Sequence, residues 1–105
     1  MPLAKRWSTY NKETVKEETD NYGVYEIGHK ASGQVLYIGE GHVRTRLMAH
    51  FPDGSHPFVG EDVYRVEYTG GKDRAVQRQN AELAIFMSKN EKTLPKFNWH
   101  KRRGL

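Results

Sequence analysis

Two segments of alternating character, Tyr22 to Ile27 and Gln34 to Gly39, are separated by residues 28–33, a connection that carries the turn-forming pair Ser32-Gly33. So short a connection makes sequential strands pair antiparallel, because a parallel pair needs a crossover of about a dozen residues or more. A β-hairpin therefore sits near the start of the fold. Gly23, Tyr25 and Ile27 share one face of its first strand, and Val35, Tyr37 and Gly39 share one face of its second. Tyrosine offers a weakly acidic hydroxyl and glycine admits close approach of a backbone or ligand, so the tripeptides Gly23-Val24-Tyr25 and Tyr37-Ile38-Gly39 point to a polar site.

The remaining elements follow from periodicity. Lys12 to Glu18 reads as a short helix. Val43 to Phe51 reads as another, with Val43, Leu47 and Phe51 forming an apolar stripe and Arg46 and His50 four residues apart on a neighbouring face. Pro52 stops it, and a loop runs to about Glu61. Asp62 to Tyr68 alternates Val63, Arg65 and Glu67 against Tyr64, Val66 and Tyr68, as a third strand does. Gly70-Gly71 ends that strand, and Asp73 opens a long helix to about Lys89 whose buried stripe is expected at Val76, Leu83, Phe86 and Met87. Pro95 begins an extended exit. The expected fold is an α/β (α+β) sandwich: a small three-stranded antiparallel sheet flanked by helices. Residues 1–21 form a polar lead-in packed on the domain, residues 22–98 the domain itself, and residues 99–105 a basic tail.

With 105 residues and 36% hydrophobic content the chain supports one modest core and no second domain. It has no cysteine, which excludes disulfides and thiolate metal centres and fits a reducing cytoplasm. No apolar run approaches the roughly 18 residues of a membrane span. A net charge of +4 favours an anionic partner. Positive charge concentrates at Arg44 and Arg46, at Arg74 and Arg78, and at Lys101-Arg102-Arg103, while Glu13, Glu17, Glu18 and Asp20 cluster near the start. His29, His42, His56 and His100 are scattered without ligand spacing, and neither a phosphate-cradling glycine loop nor a Ser-His-Asp arrangement is present.

The two tripeptides, Arg46 with His50 behind it, the helical Glu82 and Asn98 in Leu94-Pro95-Lys96-Phe97-Asn98 occur in an order that resembles the GIY-YIG nuclease family, over about Tyr22 to Asn98. The resemblance implies a metal-dependent endonuclease that hydrolyses phosphodiester bonds, with DNA, including branched or damaged DNA, favoured over RNA. It implies catalytic roles for Tyr25, Tyr37, Arg46, His50 and Glu82, and supporting roles for Gly23, Gly39 and Asn98. Phosphodiester hydrolysis needs an activated water and neutralised phosphoryl charge. Tyr25 would be the general base, Arg46 would lower its pKa and bind the phosphate, and Glu82 would hold one Mg²⁺ or Mn²⁺ ion. Tyr37 and His50 would orient phosphate or water, and Asn98 would hold the glutamate helix and exit strand in register. His42, Arg44, Arg78, Lys96, Lys101 and Arg102 are the expected nucleic-acid contacts. Glu40, directly after the second tripeptide, would repel a bound phosphate unless it points away or helps to bind the metal.

Each residue also has an ordinary structural reading. The tyrosines can be strand aromatics, and Glu82 stands four residues after Arg78, the spacing of a helical ion pair. A non-hydrolytic nucleic-acid-binding or protein-interaction domain is therefore the alternative. No separate DNA-reading module accompanies the domain, so specificity would come from the domain itself, a partner protein or a homodimer.

Overall fold

The computed structural model describes residues 6–51, 53–55 and 62–98. Its elements in chain order are β1 (Ser8–Thr9), α1 (Lys12–Lys16), β2 (Tyr22–His29), β3 (Gln34–His42), α2 (Val43–Ala49), β4 (Val63–Tyr68) and α3 (Lys72–Lys89). The strands make one antiparallel sheet in the order β1-β4-β2-β3. The sheet has four strands where the sequence suggests three. Ser8 and Thr9 pair with Tyr64 and Val63, and a two-residue strand is too short to leave an alternating pattern. Trp7 fixes this edge from the side, with Arg65 held 4.1 Å over its ring.

Register decides which residues share a face. Tyr25 lies between Gly39 on β3 and Val66 on β4, and Ile27 lies between Tyr37 and Tyr64. These residues bury against α1 and α2 in one core with Tyr10, Val15, Val43, Leu47 and Phe51. The lead-in is thus part of that core: Tyr10 stacks on Phe51 with ring centroids 4.4 Å apart and donates to the Leu47 carbonyl at 2.6 Å. The Val43, Leu47 and Phe51 stripe is buried as its spacing predicts, although the helix itself closes at Ala49 with His50 as its C-cap.

The opposite face carries Val24, Glu26 and Ile38, and α3 packs on it through Leu83 and Phe86. Here the expected buried stripe needs correction. The fully covered α3 residues are Ala75, Gln79 and Glu82, while Val76 and Met87 are only half-buried. The reason lies beneath the helix, where the sheet offers charged partners: Arg65 bonds Glu26 at 2.6 Å, and Arg78 bonds Glu67 at 2.9 Å and pairs with Glu82 at 2.5 Å. Arg78 ties the helix to the sheet through Glu67 and compensates the buried Glu82 carboxylate on its own helix.

Glu26 is 2% exposed, and burial raises its pKa, only partly opposed by Arg65. A carboxyl with a raised folded-state pKa favours the folded state most when protonated, so its contribution is present below the unfolded pKa and is lost as pH rises through the folded one. Glu26→Gln is expected to remove this component. The difference between wild-type and variant stability, followed by urea denaturation from pH 4 upwards, should change in that direction, and a constant difference would refute the assignment.

β3 is the outer strand of the hairpin and therefore an exposed edge. Asn98 closes it at one point: its Oδ1 accepts from the Ile38 N–H and its Nδ2 donates to the Ile38 carbonyl, both at 2.7 Å. Phe97 adds a backbone bond to Leu36. Asn98 thus acts as a one-residue substitute for a neighbouring strand, and it is buried. Asn98→Ala strands both backbone groups, and at about 1–3 kcal/mol per unsatisfied group it should lower stability by several kcal/mol in denaturant titration. Asn98→Asp keeps only the acceptor and should recover part of the loss.

Candidate functional site

The tyrosine cluster is assembled by three elements. β2 supplies Tyr25, β3 supplies Tyr37 across the hairpin, and α2 with its C-cap supplies Arg46 and His50. The tyrosine ring centroids lie 6.0 Å apart, and His50 stands edge-on to Tyr37 at 5.1 Å. The Tyr25 Oη is 2.9 Å from His50 Nε2. The Arg46 guanidinium interacts electrostatically with both tyrosine hydroxyls.

Glycine makes this arrangement sterically feasible. A Cβ on Gly39 would come within 2.5 Å of the Tyr25 Cζ and Oη and the Tyr37 Cε2, so both rings close over a strand position that has no side chain. Gly41 has φ of +131°, and its missing Cβ would stand 3.1 Å from the Arg46 Cγ, which lets the arginine stem lie along the strand. Gly23 plays the same part under α2, where a Cβ would meet Val43 Cγ2 at 3.0 Å and the Glu67 carbonyl at 2.7 Å.

Burial dominates the electrostatics. Tyr25 is 0% exposed, Tyr37 4% and His50 1%. Burial pushes the Tyr25 phenol well above its usual pKa, Tyr37 adds to the rise, and Arg46 opposes it without prevailing. Tyr37 is raised for the same first reason, with Arg46 again opposing. Burial would lower the Arg46 pKa, but the two tyrosines outweigh it and hold the guanidinium charged. Tyr25 is thus a protonated hydroxyl at neutral pH, and the charge-driven lowering expected from Arg46 is overridden by desolvation. His50 Nε2, 2.9 Å away, can accept its proton when the imidazole carries its own on Nδ1.

Glu82 does not join this cluster. Its partner is Arg78, which also binds Glu67, and Glu67 stands opposite Val24 on the α3 face of the sheet. Tyr25 faces the other way, towards α2. Among the described residues no group of three or more His, Cys, Asp or Glu could hold a metal ion. An ion held by Glu82 would therefore lie on the α3 face, away from the tyrosines. Glu40 stands in register with Val24, so its Cβ is directed away from the tyrosines; its Oε2 is buried without a hydrogen-bond partner.

Residues 1–85 match the family described as a domain of unknown function (DUF7508). The chain belongs to the DUF7508 family. No curated protein and no solved structure matches it significantly. The DUF7508 match takes in the lead-in, both tripeptides, Arg46, His50 and Glu82, and ends before Asn98.

The expected nucleic-acid contacts of this DUF7508 protein divide in the same way. Arg44, on the Arg46 helix, and His42, its N-cap, are exposed. Arg78 is taken by Glu67 and Glu82, and so is not a free cation. Lys96 is exposed next to Phe97 and shares a groove with Gln34 at the turn end of the hairpin. Lys101 and Arg102 lie outside the described residues. Tyr22 stands opposite His42 in a register that spacing alone does not fix. Among the described residues no helix is long and apolar enough to cross a membrane.

Proposed function

We propose that this DUF7508 domain is a phosphodiesterase acting on nucleic acid, as its resemblance to GIY-YIG nucleases implies. The observation that carries the reading is the Tyr25–His50 pair at 2.9 Å, with the charge of Arg46 acting on both tyrosines. A buried neutral phenol is a poor base alone, but one already hydrogen-bonded to an imidazole can take a proton from water while passing its own to Nε2. Water adds to phosphorus, its proton goes to the Tyr25 oxygen, and the phenolic proton goes to His50. The ester P–O bond breaks, and solvent protonates the leaving alkoxide. Arg46 binds the phosphoryl oxygens with a planar fork, and Tyr37 fixes one of them by hydrogen bonding. No step is assigned to a metal, since Glu82 is held by Arg78 on the other face.

The Glu82–Arg78 ion pair specifically favours the second reading, a domain that binds phosphodiesters without cutting them. Incubation with supercoiled plasmid and with branched DNA and RNA, in Mg²⁺, Mn²⁺ or chelator, separates the two. Nicking by wild type that survives in Glu82→Gln and disappears in Tyr25→Phe supports the phosphodiesterase as drawn. Salt-dependent binding with no cleavage of any substrate would establish the binding module instead. Metal-dependent nicking that Glu82→Gln abolishes, with folding intact, would return Glu82 to the site and overturn the proton path without metal.

A further inference from the structure

The end of the β2–β3 ladder carries a pair of rings that neither core uses. Tyr22 is the register partner of His42, and their rings lie 4.2 Å apart at 37°. His42 is exposed and Tyr22 half-buried. Exposed rings usually swing freely, yet this one is fixed at several points. His42 Nδ1 is 2.9 Å from the Asp20 carbonyl oxygen, which can only accept, so Nδ1 carries the proton and the ring plane is set. The Asp20 carboxylate in turn accepts from the Thr45 N–H at 2.8 Å and the Thr45 hydroxyl at 2.7 Å. On the other side, Thr69 donates its N–H to the Tyr22 carbonyl at 3.0 Å.

Cationic groups flank this ledge. Arg44 is exposed two residues beyond His42, and Gly41, the residue before it, lies under the stem of Arg46. A rigid aromatic surface next to guanidinium groups is the combination by which single-stranded nucleic acid is held, the bases stacking on rings while the backbone follows positive charge. We propose that Tyr22 and His42 form a stacking platform for an unpaired nucleobase whose neighbouring phosphate is held by Arg44. The inference rests on the phosphodiester reading above and narrows its substrate class to single-stranded, splayed or branch-point nucleotides rather than intact duplex. A paired base has no free face to offer such a ledge.

Fluorescence anisotropy with a labelled single strand, the same strand in a duplex, and the same strand with abasic positions tests the platform, in DNA and RNA arms. The single strand should bind about tenfold more tightly than duplex or abasic strand. His42→Ala and Tyr22→Leu should each weaken single-strand binding about tenfold without changing the dependence of affinity on salt, and His42→Phe, which stacks but lacks Nδ1, should retain it. Equal affinity for the abasic strand, or a His42→Phe variant as weak as His42→Ala with both folded by circular dichroism, overturns the platform. Tight single-strand binding in either the DNA or the RNA arm supports it, because the shared chemistry is the base. The two failures are distinguishable: binding that Arg46→Ala weakens but that ignores the bases overturns only the platform, whereas no salt-dependent binding to any of the probes removes the phosphodiester reading with it.

Discussion

Gly39→Ala is expected to lower stability by about 3 kcal/mol, at the upper end of the cost of inserting a methyl group into a well-packed core, and to abolish any cleavage activity. The added carbon would lie 2.5 Å from the Tyr25 Cζ and Oη and from the Tyr37 Cε2. Neither tyrosine is a flexible surface group: both rings are buried, and the Tyr25 hydroxyl is tied to His50. Relief therefore has to come from moving β3 away from β2 or from turning both rings off their partners. In a domain of this size the loss should appear as a fall in Tm of about 15 °C. Gly33→Ala is the control. Its φ is +69°, and nothing lies within 4 Å of a Cβ there, so only the left-handed backbone penalty of roughly 1–2 kcal/mol applies. If the two variants were equally stable, the rings would not close over Gly39 as described.

Tyr25→Phe and Arg46→Ala should separate proton transfer from phosphate binding. Phenylalanine keeps the ring that packs against Ile27, Leu47 and Tyr64 in the α2-side core but removes the hydroxyl shared with His50. Cleavage is expected to fall by about 10²–10⁴-fold, the range over which positioned acid–base groups act, while affinity for uncut substrate stays within about twofold. Arg46→Ala removes the charge that meets the phosphate. It should cost about 10²–10³-fold in rate and also weaken binding, with the slope of log affinity against log salt reduced by about one contact. Rates measured at saturating substrate, together with anisotropy over a salt series, give both quantities. Undiminished cleavage in Tyr25→Phe would mean that the phenol is only a packed strand aromatic.

The parts of the fold legible in the sequence are those where a short-range pattern met no competition. The hairpin followed from alternation and a short connection, β4 from the alternation of Tyr64, Val66 and Tyr68 against Arg65 and Glu67, and α2 from Val43, Leu47 and Phe51. Ser8 and Thr9 lacked the length to show a period, so the fourth strand was invisible. The buried face of α3 was misread because a carboxylate, Glu82, is buried there with Arg78 as its partner while Val76 is only half-buried. Tyr25, Tyr37, Arg46 and His50 come together because hairpin pairing and helical spacing each act over a few residues. Glu82 required knowing which face of the sheet α3 covers, and that depends on a crossover from β4 that local periodicity does not encode. Its helical spacing to Arg78 was visible, and that contact is the one the fold makes.

The Asn98 clasp also bears on the order in which the domain becomes complete. Its partner Ile38 lies 60 residues earlier in the chain, so β2 and β3 are synthesised well before Asn98. Until Asn98 docks, the β3 edge is open to strand addition by another chain. The stretch from Leu94 to Asn98 is in this sense a late-arriving guard, and variants that remove it should be recovered as aggregates from the cell even where the purified, refolded domain is monomeric.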